Sequence, residues 1–269
     1  MPDGETPRGA VDLRLLTRDE APPFTILNPS GSAPMVITCD HASNRVPEVL
    51  GDLGLNRAEL ARHIAWDIGA AEVTRRLALL LDAPAVLSGF SRLVIDPNRR
   101  VDVPASIPPI SDGTEVPGNR HLSDREVSLR REQLFAPYHA ACERMIEAKL
   151  AEGLPPALVF LHSFTPVFAG EERWMEAAIL WDRDDRLPRP LLESLRARGI
   201  ATGDNEPYSG RSTEDYSLHA HGDARGLPHV LIELRQDVID TQAGAERWAQ
   251  ILAAVLRPVL ADPATFRSL

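Results

Sequence analysis

A chain of 269 residues, 43% hydrophobic and 25% charged, holds enough apolar material for one large α/β domain or two small ones. A net charge of −10 repels phosphate backbones and no basic cluster forms a membrane-surface patch, so neither nucleic acid nor membrane is expected as a partner. Cys39 and Cys142 stand far apart and outside any CxxC spacing, which argues against a disulfide framework or a thiolate zinc site and fits a reducing cytoplasm, the expected location.

The opening stretch MPDGETPRGAVDLRLLTRDE lacks the basic start and apolar block of a signal peptide, and no apolar run approaches the ~18 residues needed to span a bilayer. Residues 1 to about 33 are polar and proline-containing, and read as an arm leading into a domain over 34–269. MVITC is a short apolar run, expected as a central strand that ends on Asp40 and His41. From Asn56, a candidate cap, apolar residues recur at helical spacing through Leu60, Ile64, Ile68, Val73, Leu77 and Leu80, which predicts one helix to about Asp82. APAVLSGFSRLVID reads as one or two strands. VDVPASIPPISDGTEVPGN is too rich in proline and glycine for regular structure, and a loop of that length is expected to act as a lid that sets specificity. Ser123 and Glu126 form a capping box for a long helix that Gly153 stops. ALVFLHS, AAILWD and HVLIELRQD are three further strands, and AGAERWAQILAAVLRPVL is a closing amphipathic helix. Strands alternating with helices predict a single α/β domain with a mixed, mainly parallel sheet flanked by helices.

His41 and His162 both follow apolar strands, and in open α/β sheets ligand sites gather beyond the carboxyl ends of strands. Two imidazoles there with a carboxylate would make a three-ligand zinc site with a position open to water. The segment SRLVIDPNRR gathers Arg92, Asp96, Asn98, Arg99 and Arg100; arginine forks bind carboxylates, although Asp-Pro-Asn is also an ordinary turn. Glu233 interrupts an apolar strand, where a carboxylate is costly unless it is functional or paired, with Arg235 or Arg211 as the partners at hand. Burial would raise its pKa and suit it to proton transfer.

The ordered set DHASNRVP, AWDIGA, SRLVIDPNR, FLHSF, NEPYSG and VLIELR resembles the N-formylglutamate amidohydrolase family, from about Met35 to the last helix. No one of these motifs is specific alone; six in order are. The family is in turn similar to the zinc carboxypeptidase and aspartoacylase superfamily, which implies a phosphorylase/hydrolase-like α/β fold. The resemblance implies Zn²⁺ on His41 and His162, substrate carboxylate binding by Asn98 and Arg99, and Glu233 as general base. One departure stands out: the carboxypeptidase pattern has a glutamate three residues after the first histidine, where this chain has Asn44. Asp67 is the candidate for the missing ligand, and Asp40 is either its rival or a partner that orients a ligating histidine.

Arg92, or Arg99 in its place, is a further catalytic candidate for oxyanion stabilisation. The family often carries a His-Gly pair near His221 and Gly222, so His221 is expected to line the pocket, with Tyr208 and Arg211 closing over the substrate. His63 and His139 fall in predicted helices and read as surface or packing residues. The expected activity is zinc-dependent hydrolysis of a linear amide in a small N-acyl amino acid. N-formyl-L-glutamate leads, giving formate and glutamate as in the last step of one histidine breakdown route. A different acyl amino acid and a non-catalytic ligand-binding relative stay open as alternatives; the retained Glu233 argues against the latter.

Overall fold

A five-residue run that is buried on both faces must lie inside a sheet, and Met35–Cys39 does so. The computed structural model describes residues 14–153, 155–212 and 214–267; the first thirteen residues of the arm lie outside the described residues. Seven strands form one sheet: β1 (Phe24–Leu27), β2 (Met35–Cys39), β3 (Ala85–Ser88), β4 (Ala157–Phe164), β5 (Ala177–Leu180), β6 (Thr202–Asp204) and β7 (His229–Arg235). Their order is β1-β3-β2-β4-β7-β5-β6. Strands β3, β2, β4 and β7 run parallel, whereas β1 and β5 are antiparallel to their neighbours β3 and β7. The sheet is therefore mixed and mainly parallel, as the alternation of elements predicts. Two short strands, β1 and β6, escape the sequence reading; β1 falls within the segment read as an arm.

Alternate residues of the central strands divide two cores. Ile37, Val159, Ile179 and Ile232 face a helical layer built from α1 (Ala70–Leu81), α3 (Pro188–Ala197) and α4 (Gln242–Ala261). Val36, Leu158, Phe160 and Leu231 face the other side, which α2 (Ala136–Ala151) covers with Ile146. Leu77 and Trp248 are fully buried in the first layer, and each such side chain contributes about 1.5–3 kcal/mol by leaving water.

The long helix expected from Asn56 is interrupted. Asn56 does cap, within a full capping box, but the helix it starts covers only Arg57–Leu60. The chain then turns through residues 61–69 before α1 begins. Gly69 marks the restart at φ +82°, and a Cβ there would lie 2.4 Å from the Ile239 carbonyl oxygen, so the turn requires glycine.

The proline-rich segment also departs from the expected lid. It folds into two 3-10 turns and a hairpin, Ile110–Ser111 with Thr114–Glu115. Buried Arg130, in the helical stretch before α2, donates to Gly118 O, Val94 O and Asn119 Oδ1 and pins the segment to the body. Ser123 and Glu126 form their capping box as predicted.

Candidate active site

Three elements deliver polar groups to the carboxyl ends of the parallel strands. His41 lies just past β2, while His162 in β4 and Glu233 in β7 are register partners on neighbouring parallel strands. Asp67 comes from the turn that breaks the predicted helix, and its backbone N–H donates to His41 O at 2.9 Å. The break therefore frees this carboxylate to point at the sheet, which a continuous helix would not.

One oxygen, Asp67 Oδ2, lies 3.3 Å from His41 Nδ1 and 2.9 Å from His162 Nδ1, and accepts from Ser163 N–H at 3.2 Å. Ligand atoms of His41, Asp67 and His162 all fall within 4.8 Å of one another, and all three residues are buried. The far nitrogen of each ring is anchored: His41 Nε2–H donates to Asp96 Oδ1 at 2.7 Å, and His162 Nε2–H to Asp40 Oδ2 at 3.2 Å. Those bonds leave both Nδ1 atoms to face Asp67. Two imidazole nitrogens and one carboxylate oxygen, each ring braced by a second carboxylate, form a donor set that suits a divalent cation such as zinc.

Electrostatics support this reading. Burial disfavours a charged imidazole at His162, yet its hydrogen bonds to Asp40 and Asp67 raise its pKa well above the usual value. At His41 burial and Arg92 are likewise outweighed by Asp96 and Asp67, so its pKa also rises. Burial opposes ionisation of Asp67, but the charges and hydrogen bonds of the two histidines hold it well below the ordinary carboxylate range. The centre thus calls for positive charge between its donors, supplied by protons or by a metal ion.

A cavity of about 280 Å³ opens on this group. Its walls include His41, Asp67 and His162 together with Arg92, Asn98, Arg99, Tyr208 and Glu233 from the sequence reading. Glu233 is 8% exposed, and its Oε2 has no hydrogen-bond partner among the described residues. Its pKa is pushed up to about 7, mainly by burial; His162 and His41 oppose the rise while Asp67 and Asp215 add to it. Arg235 serves Asp237 and backbone carbonyls instead of Glu233. Arg92 donates Nε and Nη2 to Asp96 at 3.0 and 2.7 Å, and its Nη1 lies 3.7 Å from Asp67 Oδ1.

Asn98 is a brace: Nδ2 donates to Asp215 and Oδ1 accepts from Ser217 N–H. Arg99 gives Nη1 to the Asn98 and Glu214 carbonyls and to Asp215, while Nε and Nη2 make no hydrogen bond among the described residues.

Two expected pocket residues stand elsewhere. Arg211 lies over the Trp181 ring at 6.0 Å. His221 is buried against His139, with Nε2 2.9 Å from His139 Nδ1, and neither ring lines the cavity. Asn44 donates to Leu60 O and takes no place in the donor set, and Asp40 orients His162. Conversely, His63 does line the cavity, because the turn that carries Asp67 carries it too. No described residue of 101–119 lines the cavity; the segment reaches the site only where Asp112 sits 3.4 Å from His63. Asp96, whose anchoring of His41 the sequence reading did not assign, stood in the quoted segment four residues after Arg92, and that spacing was the available signal.

Residues 33–239 match the family model for N-formylglutamate amidohydrolase. The Atu2144 gene product of Agrobacterium tumefaciens superposes with a TM-score of 0.89 at 33% identity, covering 92% of this chain and 98% of that one. N-formylglutamate amidohydrolase from Ralstonia eutropha JMP134 shares the fold, with a TM-score of 0.63 at 20% identity over 90% of this chain and 98% of that one. No functionally curated protein matches the chain. Among the described residues no helix is long and apolar enough to cross a membrane.

Proposed function

The chain belongs to the N-formylglutamate amidohydrolase family, and from that premise we propose that it hydrolyses N-acyl amino acids, N-formyl-L-glutamate first among them, with zinc held by His41, Asp67 and His162. The observation that carries this reading is the convergence of two braced Nδ1 atoms and one carboxylate oxygen beside Glu233, whose Oε2 has no hydrogen-bond partner among the described residues. Bound zinc supplies Lewis acidity toward the acyl oxygen and lowers the pKa of water toward ~7. Glu233 takes a proton from the attacking water as its oxygen bonds to the acyl carbon. The C–N bond then breaks, and Glu233 returns the proton to the departing amine. With a formyl substrate the products are formate and the free amino acid. Arg92, fixed by Asp96 on the cavity wall, supplies positive charge for the oxyanion that develops on the acyl oxygen. The free edge of Arg99 takes a substrate carboxylate while Asn98 holds the 215–217 segment in place.

Formate release from a panel of N-formyl and N-acetyl amino acids, with zinc-loaded protein, tests the proposal. Cleavage of N-formyl-L-glutamate above the rest of the panel is expected; no cleavage of any member overturns it.

A further inference from the structure

A second cavity, of about 360 Å³, opens where the helical turns Leu218–Gly222 and Asp223–Arg225 meet the start of β7. Its walls include Asp182, Asp184, His219, Asp223 and His229. His229 is 1% exposed, and a Cβ on Gly222 would lie 2.5 Å from its ring, so the glycine makes room for the imidazole. His229 Nδ1 lies 2.8 Å from Leu227 O; a carbonyl only accepts, so Nδ1 carries the proton of the neutral ring. Nε2 then presents a lone pair. It sits 3.2 Å from Asp223 Oδ1, another acceptor, and has no hydrogen-bond partner among the described residues. A buried nitrogen in that state calls for a positive partner. A proton on Nε2 does not answer the call: the distance allows a hydrogen bond, but the angle does not make one. A metal ion does. Two donors bonded to one ion at about 2.1 Å stand roughly 3.0–3.4 Å apart, from octahedral to tetrahedral angles, and this pair has that separation.

Asp223 is held in place from its other oxygen. His219 Nδ1 lies 2.5 Å from Oδ2, and its Nε2 lies 2.7 Å from Ser212 O. Giving an N–H to both makes His219 an imidazolium, and its pKa is raised accordingly: burial opposes the charge, and the Ser212 carbonyl and Asp223 outweigh it. Neighbouring arginines are drawn elsewhere, Arg186 to Asp184 and Arg225 to Glu147. We propose that His229 Nε2 and Asp223 Oδ1 hold a divalent cation of the class that takes imidazole nitrogen, such as Zn²⁺, with water from the cavity completing its shell. The site is separate from His41, Asp67 and His162, and it takes no part in hydrolysis. It ties Asp223, and through His219 the catalytic-cavity residue Ser212, to the start of β7. With fewer protein ligands, it binds more weakly than the three-ligand centre.

Calorimetric titration of metal-stripped protein with Zn²⁺ tests the proposal. Two binding events per chain are expected, the second weaker than the first. His162→Ala should weaken the first and spare the second. Asp223→Asn and His229→Gln should spare the first and weaken the second by at least about 10–100-fold, the effect of losing even a supporting partner of a metal ligand. Ca²⁺, which prefers oxygen donors, should not displace the second ion. Wild type with no event sensitive to Asp223→Asn overturns the proposal, whatever the fate of the first site, and so does displacement by Ca²⁺. Should the buried His229→Gln fail to fold, Asp223→Asn decides the matter, because the Asp223 side chain is partly exposed.

Discussion

His41 and Asp96 meet through Nε2 and Oδ1 at 2.7 Å, and that contact decides which nitrogen of the ring looks into the cavity. Asp96 is itself held by Arg92 and by the Asn98 N–H, so the ring has little freedom to turn. Asp96→Asn should weaken zinc affinity by roughly 10–100-fold, the usual effect of losing a carboxylate behind a ligating histidine. Competition against a chromophoric chelator measures it; wild-type affinity in the variant would show that Asp96 does not brace the ligand.

Glu233 is buried, its Oε2 has no hydrogen-bond partner among the described residues, and its pKa is pushed up to about 7, near that needed for proton transfer at neutral pH. Glu233→Gln keeps the shape and removes the base. A fall in kcat on the order of 10²–10⁴ is expected with zinc content unchanged. Full turnover by the metal-loaded variant would remove Glu233 from the mechanism.

Gly69 restarts the helix after the turn that carries Asp67, at a positive φ and against Ile239 O. Gly69→Ala should cost about 1–3 kcal/mol, from backbone strain and the displaced contact. Urea denaturation reports this as a lower midpoint, and chelator competition should show weaker zinc binding because Asp67 moves with the turn. A variant equal to wild type on both counts would contradict the role given to the turn.

His139 and His221 form a stacked, buried pair, and each is depressed to about 4. For His139 burial is the main cause, with the His221 charge adding to it; for His221 burial again leads, with Asp40 pulling the other way. Their folded pKa values lie below the unfolded value of about 6.5, so between those limits the unfolded chain binds more protons. Stability that is fully present above about pH 6.5 should therefore fall as pH drops toward 4. Urea midpoints across that range should show a shallower slope in His221→Gln, whose amide nitrogen can donate to His139 in place of Nε2. Identical slopes would assign the acid sensitivity to other groups.

Much of this architecture is legible in the residues. Met35–Cys39 reads as a central strand because all five side chains are apolar or small, and Ser123 with Glu126 announces its helix through local hydrogen bonds alone. Strand β1 is only half-buried at an edge and lies among prolines, while β6 is three residues with a glycine, so neither shows a pattern. The broken helix is a deeper failure: Ile64 and Ile68 keep the helical spacing, and what interrupts it is the long-range bond from Asp67 N–H to His41 O. His221 looked like a pocket residue through its place beside Gly222, but its ring is held by His139 from α2, a contact that no local pattern encodes. Asp96 shows half of its role locally, in its spacing from Arg92, while its bond to His41 joins distant segments.

The most direct test of the account is zinc dependence of formate release from N-formyl-L-glutamate. Protein stripped with a chelator is assayed, then titrated with Zn²⁺. The account predicts negligible release from the stripped protein and full recovery near one equivalent per chain, with His41→Ala and His162→Ala failing to recover. Stripped protein that releases formate at the full rate, or recovery that does not need these two histidines, would contradict it.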